Sequence, residues 1–445
     1  MKSRNNLLDV LIAVAILVAA AVVDGYGTYA MFTSKVPGGN DWHTRYAPVQ
    51  AYVQQIEIPG YGMSGVPYHA WGGWTQWSKD DVFYWGTATS PYHPAATGWN
   101  QLTAYGKFAR PDDTDLDPAY FVYPMYMTFF VAPFTYLEYP AAWAIWIVLQ
   151  EAALIGMAIL LVDYFRWRVS FGARLATLAF AIIWYPAARG LLLGQPALLV
   201  TFFIVLSIWL LRRGGRWTDA AAGVALAIST IKPTVGLFII PFLGLWALRK
   251  RRWAFVWGGV AAMLALLVPS FLLVPDWVEA WLTQLLRYPL YTAIGSPAWI
   301  LTHLTIPALG GAGELALNAV GLVYLAYTWY RVLVKGEDQY FDWTVAMTIT
   351  ITNLIAFRTA TTHFVIFLVP LLFYWRCLDE RVRRGRLWVY LSQVALVVGF
   401  WVLFLATVEG RAESAANYIP LPVGMFVLLL FTRRLWARQE LEAAA

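Results

Sequence analysis

Long apolar runs, separated by short polar breaks, recur along this chain from Leu7 to Trp436. In a bilayer such runs have no water to bond their amides, so each predicts a helix that satisfies its own backbone. The first is expected over Leu7 to Tyr29. Later helices are expected at about 140–162, 173–191, 195–211, 218–234, 236–248, 253–274, 313–333, 341–357, 361–376, 386–408 and 418–436. The fold class predicted is all-α, a polytopic transmembrane bundle of about twelve helices forming one membrane domain over residues 1–445.

The polar breaks orient this bundle. Basic residues cluster at Lys2 and Arg4, at Arg166, Arg168 and Arg174, and at Arg212, Arg213 and Arg216. Further clusters run Arg249 to Arg252, Arg331 with Lys335, Arg376 to Arg386, and Arg433 to Arg438. All fall on one side if the Pro-punctuated stretch from Tyr123 to Leu137 is interfacial or re-entrant rather than a full span. The positive-inside rule then places both termini in the cytoplasm of a plasma-membrane protein. Two segments are expected outside: a long first loop over 31–139 carrying interfacial helices, and a second over 275–312.

Composition agrees. Sixty per cent of residues are hydrophobic and 13% charged, and mean hydropathy is +0.57. The net charge of +6 reports topology, so nucleic acid is not an expected partner. A single cysteine, Cys377, allows neither an internal disulfide nor a cysteine-based metal site. The N-terminal Met1-Lys2-Ser3-Arg4 and the apolar stretch after it read as an uncleaved helix rather than a signal peptide. Neither an internal repeat nor a nucleotide-binding or serine-hydrolase motif is present.

The residues that could carry chemistry lie toward the outer side. Asp41, in Asn40-Asp41-Trp42-His43, is either a loop acid or helix N-cap, or a general base. His43 and Arg45 could orient it. Lys232, before Pro233, either snorkels to the interface or meets an anion. Arg358 and His363 share a tight turn, and a helix beginning near Thr361 would add a dipole for phosphate. Gln195 opens a helix beside Arg189. The Trp and Tyr residues between Trp42 and Trp99 form an aromatic belt, a platform for sugar rings, or both. The run Asp112, Asp113, Asp115 and Asp117 lacks the glycine and closing glutamate of a calcium loop, so no metal is expected. Gln150 and Glu151 lie mid-span and are expected to face the bundle interior or a cavity, with no role assigned.

The order of these motifs resembles the GT-C superfamily of membrane glycosyltransferases. Gly39-Asn40-Asp41-Trp42 is followed by Ser90-Pro91-Tyr92, then Phe121-Val122-Tyr123-Pro124 and Ala132-Pro133-Phe134. Gly194-Gln195-Pro196, Ile231-Lys232-Pro233 and His363 come after. Within the superfamily, the chain looks most like glycosyltransferase family 87, the polyprenyl-phosphate-mannose-dependent mannosyltransferases. Tyr123-Pro124-Met125 stands where the family commonly has two prolines, and the stretch from Glu57 to Tyr84 is longer and richer in Trp and Gly.

The resemblance implies an inverting enzyme without a cofactor, transferring a hexose, mannose in the family, from a polyprenyl phosphate. The acceptor would be a glycolipid, glycan or protein hydroxyl on the outer face. Asp41 takes the base position and His363 the late active-site histidine. Lys232, Arg358, Gln195 and Arg189 would meet the donor phosphate. Trp42, His43, Arg45, Tyr92 and Tyr123 would line the acceptor and sugar pocket. Two alternatives stand beside this reading: a transporter or lipid flippase, and an inactive glycosyltransferase-like scaffold.

Overall fold

A computed structural model describes residues 40–58, 86–105, 120–291, 295–356, 358–408 and 413–444. The expected first span, most of the Trp-rich stretch and the Asp112–Asp117 run lie outside these residues. The chain enters on helix α1 (Asn40–Val53), and two short strands, β1 (Glu57–Ile58) and β2 (Gly86–Thr87), pair antiparallel. Helix α2 (Pro94–Tyr105) packs on α1. Helix α3 (Met127–Val131) runs into a 3-10 helix over Ala132–Tyr136. Pro133 near the start of that 3-10 turn keeps the segment short, as an interfacial element requires.

The bundle follows. It comprises α4 (Tyr139–Tyr164), α5 (Phe171–Ile183), α6 (Tyr185–Leu193), α7 (Ala197–Arg213) and α8 (Arg216–Ile228). Next are α9 (Pro233–Gly236), α10 (Ile239–Arg249), α11 (Trp253–Leu273), α12 (Trp277–Tyr291) and α13 (Pro297–Ile300). The last are α14 (Gly310–Leu333), α15 (Phe341–Ile355), α16 (Leu368–Arg381), α17 (Gly385–Thr407) and α18 (Pro420–Ala444).

Among the described residues six helices are long and apolar enough to cross a membrane, or seven when α5 and α6, bent by 50°, count as one. Within the described residues the other expected spans are present as shorter helices. The 218–234 run breaks at Lys232-Pro233, where the proline can supply no amide to the preceding turn. The 195–211 run gives a 17-residue helix, α7, that packs in the interior between α4 and α8. The helix expected to open near Thr361 begins as a 3-10 helix over Thr361–Phe367, and α-helical geometry starts only at Leu368. The dipole invoked there is correspondingly weakened.

Ion pairs gather the basic helix termini at one end. Arg212 on α7 meets Asp342 on α15 at 3.0 Å, and Arg213 meets Asp163 of α4 at 2.6 Å. Arg249 on α10 meets Asp338 at 2.7 Å. Arg252 grips Asp219 through two nitrogens, at 2.8 and 2.5 Å, and donates to the Leu211 carbonyl at 2.7 Å. That last residue ties α7, α8 and α11 together.

Helices α8 and α11 approach backbone to backbone. A methyl added at Gly223 would lie 2.0 Å from the Phe255 carbonyl oxygen, and one at Gly258 would lie 2.3 Å from that of Ala220. Small residues here replace a hydrophobic driving force that lipid does not supply. Gly223→Leu should therefore prise the pair apart, costing about 1–3 kcal/mol or more. The check is thermal denaturation in detergent, where the variant's midpoint should fall clearly below wild type.

Candidate active site

At the end of the bundle opposite the ion pairs, a tight turn carries the central residue. Helix α6 ends at Gly194, whose φ of +70° is left-handed. Gln195 donates its backbone N–H to the Gly190 carbonyl at 2.9 Å, closing the turn in the manner of a Schellman cap. The face of α4 grips this turn. Trp146 Nε1 donates to the Gly194 carbonyl at 3.0 Å, and Gln150 Nε2 donates to the Gln195 carbonyl at 2.7 Å. Both carbonyls would otherwise be buried unpaired, at a cost of roughly 1–3 kcal/mol each. Gln150, which sequence alone left without a role, holds the turn.

From this turn the Gln195 side chain bridges two charged residues. Its Nε2 donates to Asp41 Oδ2, and its Oε1 accepts from Lys232 Nζ at 2.5 Å. Lys232 sits at the break between the 3-10 turn Ser229–Ile231 and α9, so the Pro233 kink turns its side chain inward. Asp41 lies in the first turn of α1, which begins at Asn40, rather than capping it. Its side chain keeps 26% exposure, enough to meet a substrate hydroxyl.

Arg45, one turn along α1, is buried and donates to the Asp41 carbonyl; its Nη1 stands 3.4 Å from Asp41 Oδ1. Its Nη2 donates to the Tyr123 hydroxyl at 2.6 Å, and the Tyr92 hydroxyl donates to the Tyr123 carbonyl at 2.5 Å. Burial raises both phenols above their ordinary range, so they stay protonated. Arginine remains charged in any protein environment, so Arg45 is a permanent cation beside the carboxylate.

His363 lies buried within electrostatic reach of Lys232. Its Nε2 and the hydroxyls of Thr359 and Thr362 are buried polar atoms that make no hydrogen bond among the described residues. Such groups call for a partner.

Other expected site residues make contacts of their own around this centre or away from it. Trp42 is fully buried, stacked on Trp146 at 4.2 Å, and works as the anchor of α1 rather than as an open platform. His43 points away from Asp41, bonds Asn100 at 2.8 Å and lines an open cavity of about 480 Å³ with Tyr46, Tyr136 and Tyr139. Burial pushes its imidazole down to about 4, against the Asn100 bond, so it is neutral at physiological pH. Arg189 pairs with Glu413 at 3.2 Å. Arg358 packs over Trp299 at 5.6 Å, with Tyr288 and Glu314 as electrostatic neighbours. The shared turn thus sends Arg358 and His363 to different surroundings.

Sequence reasoning missed Glu413, a buried carboxylate that also accepts from Tyr185 at 2.5 Å and Tyr418 at 3.2 Å. An acid in the short polar break before the last apolar run was the available signal.

A methyl at Gly194 would sit 2.4 Å from the Trp143 ring and 2.6 Å from Trp42 Cβ, in a backbone region that costs other residues roughly 1–2 kcal/mol. Gly194→Ala should lower both thermal stability and turnover. Gly244→Ala, where the methyl meets nothing within 4 Å, should leave both at wild-type levels in the same assays.

Comparison with known proteins supplies the family. The sequence model of glycosyltransferase family 87 matches residues 121–349. An alpha-(1->3)-arabinofuranosyltransferase of Mycobacterium tuberculosis, found in two strains, is 23% identical over 348 residues, covering 74% of this chain and 75% of the relative. No solved structure matches. With just over half of its length matched by the family model, the chain belongs to glycosyltransferase family 87, a family of membrane glycosyltransferases.

Proposed function

We propose that the protein transfers a sugar from a polyprenyl phosphate donor to an acceptor hydroxyl, with Asp41 as general base. The observation that carries this reading is the single glutamine linking Asp41 to Lys232. A proton acceptor and an amine able to meet a phosphate are thereby held one side chain apart.

The step balances simply. The acceptor oxygen attacks the anomeric carbon from the face opposite the phosphate while Asp41 takes its proton. The bond from anomeric carbon to phosphate oxygen breaks, and the departing phosphate carries away the electron pair. Lys232 and His363 stabilise that charge, with the Thr359 and Thr362 hydroxyls as further donors. Inversion follows from the single displacement. Arg189 and Arg358 stand further back and shape the field, since Glu413 already partners the first.

The basic helix termini at the far end support an outer-face site under the positive-inside rule. Mannose is the sugar the family resemblance suggests; the arabinofuranosyltransferase relative adds a pentofuranose as the second donor to test. A transporter would place its charges near the midplane between inverted repeats. The charges here meet instead at the terminal breaks of α6, α8 and α16.

The test uses the purified full chain in nanodiscs with radiolabelled polyprenyl-phosphate-mannose and polyprenyl-phosphate-arabinofuranose, each with native membrane lipids as acceptor. Asp41→Asn should lose about 10²–10⁴-fold in transfer while still binding donor, because only the proton acceptor is removed. Lys232→Met should weaken donor binding and turnover together. Wild-type transfer by Asp41→Asn would sink the mechanism. Failure of wild type to bind either donor would sink the donor assignment.

A further inference from the structure

The basic end holds a second polar feature that glycosyl transfer does not use. Between the N-termini of α8 and α11 lies an open pocket of about 530 Å³. Its wall carries Arg216 and Trp217 from one helix start, and Arg251, Trp253 and Trp257 from the other. The floor is Ala220 and Gly258, the same small residues that bring the helices into backbone contact.

Two features make this more than a scatter of surface charge. First, the acid in the pocket is already neutralised. Asp219 is held by the two-pronged contact from Arg252, so the remaining guanidiniums face the pocket without a carboxylate. Among the described residues neither Arg216 nor Arg251 forms an ion pair, whereas Arg249 and Lys250 next door are both committed to Asp338. Second, the turns that end two helices set the pocket's walls. Arg251, at a left-handed φ of +54°, closes α10, where the Arg252 N–H donates to the Ala247 carbonyl at 2.9 Å. Gly214 and Gly215, at φ of +66° and +115°, join α7 to α8 on the other side.

The rim is as telling as the charge. Trp217 is 82% exposed, Trp253 53% and Trp257 66%. Large aromatic rings left this open beside arginines suit the headgroup level of a bilayer, where one edge is apolar and the other wet. Below them the flank of α11 away from α8 leaves Leu264, Val268 and Leu272 exposed, so an apolar surface continues from the pocket along the helix.

We propose that this pocket is a binding site for an anionic phospholipid of the surrounding leaflet. The headgroup phosphate would sit between Arg216 and Arg251 under the positive ends of two helix dipoles, with the glycerol against Trp217 and Trp253. The acyl chains would lie on the exposed flank of α11. The occupant is a lipid rather than a soluble phosphate because the polar pocket opens directly onto a face that only hydrocarbon covers.

The experiment is lipid exchange on the full chain. Delipidated protein in detergent is mixed with vesicles of phosphatidylglycerol or of phosphatidylcholine, and bound lipid is counted by native mass spectrometry. Wild type should retain phosphatidylglycerol in preference to phosphatidylcholine. The double variant Arg216→Gln/Arg251→Gln should lose about tenfold in phosphatidylglycerol affinity, with phosphatidylcholine retention unchanged. The control Arg168→Gln/Arg383→Gln removes the same charge from exposed positions of the same end, outside the pocket, and should bind as wild type. Equal loss in both double variants would reduce the effect to general surface potential and overturn the site. Unchanged retention in Arg216→Gln/Arg251→Gln would overturn it equally.

Discussion

Gln195 is the residue on which the site depends, because its two amide ends serve opposite charges at once. Asp41 comes from a helix that precedes the bundle and Lys232 from the break that follows α8. Neither element packs so as to fix the other directly. The glutamine converts two independent placements into one, and it can do so only because its own backbone is clamped from α4 by Trp146 and Gln150. Those bonds run through a layer where water cannot replace them, which makes the clamp stiff.

The molecule is polarised end to end. At one end charged side chains pair with one another across helix termini and hold the bundle's periphery. At the other end charge is arranged around groups whose hydrogen bonds are incomplete, including His363 and two threonine hydroxyls. Satisfied charge stabilises; unsatisfied polar groups in a buried setting store recognition for a ligand. The close seam between α8 and α11 keeps the two ends in register, since Lys232 follows directly from the end of α8.

Much of this was legible in the sequence. Apolar length alone located α4, α11, α14 and α17 to within a few residues, because a span in lipid must be continuous. Asp41 and Lys232 stood out because charge near hydrocarbon is expensive and so rarely idle. Hydropathy overstated the spans where a break interrupts an apolar run, as at Pro233, or where a short helix is sheltered by protein, as in α7. The role of Gln150 was hidden because it depends on a carbonyl 45 positions away. Arg358 and His363 looked like partners because they are close in sequence, but the turn geometry separates them. Glu413 lay in a polar break among other charges, and nothing local marked it as the acid that would be buried.

The small pairing of β1 with β2 has a wider consequence. Ile58 and Gly86 stand opposite each other across the two strands. That pairing follows the C-terminal end of α1, whereas Asp41 lies in the helix's first turn. Sequence changes between the two strands therefore fall outside Asp41, Gln195 and Lys232 and outside every helix that positions them. A lineage could rewrite that stretch of sequence while the bridge from carboxylate to amine stays under separate constraint.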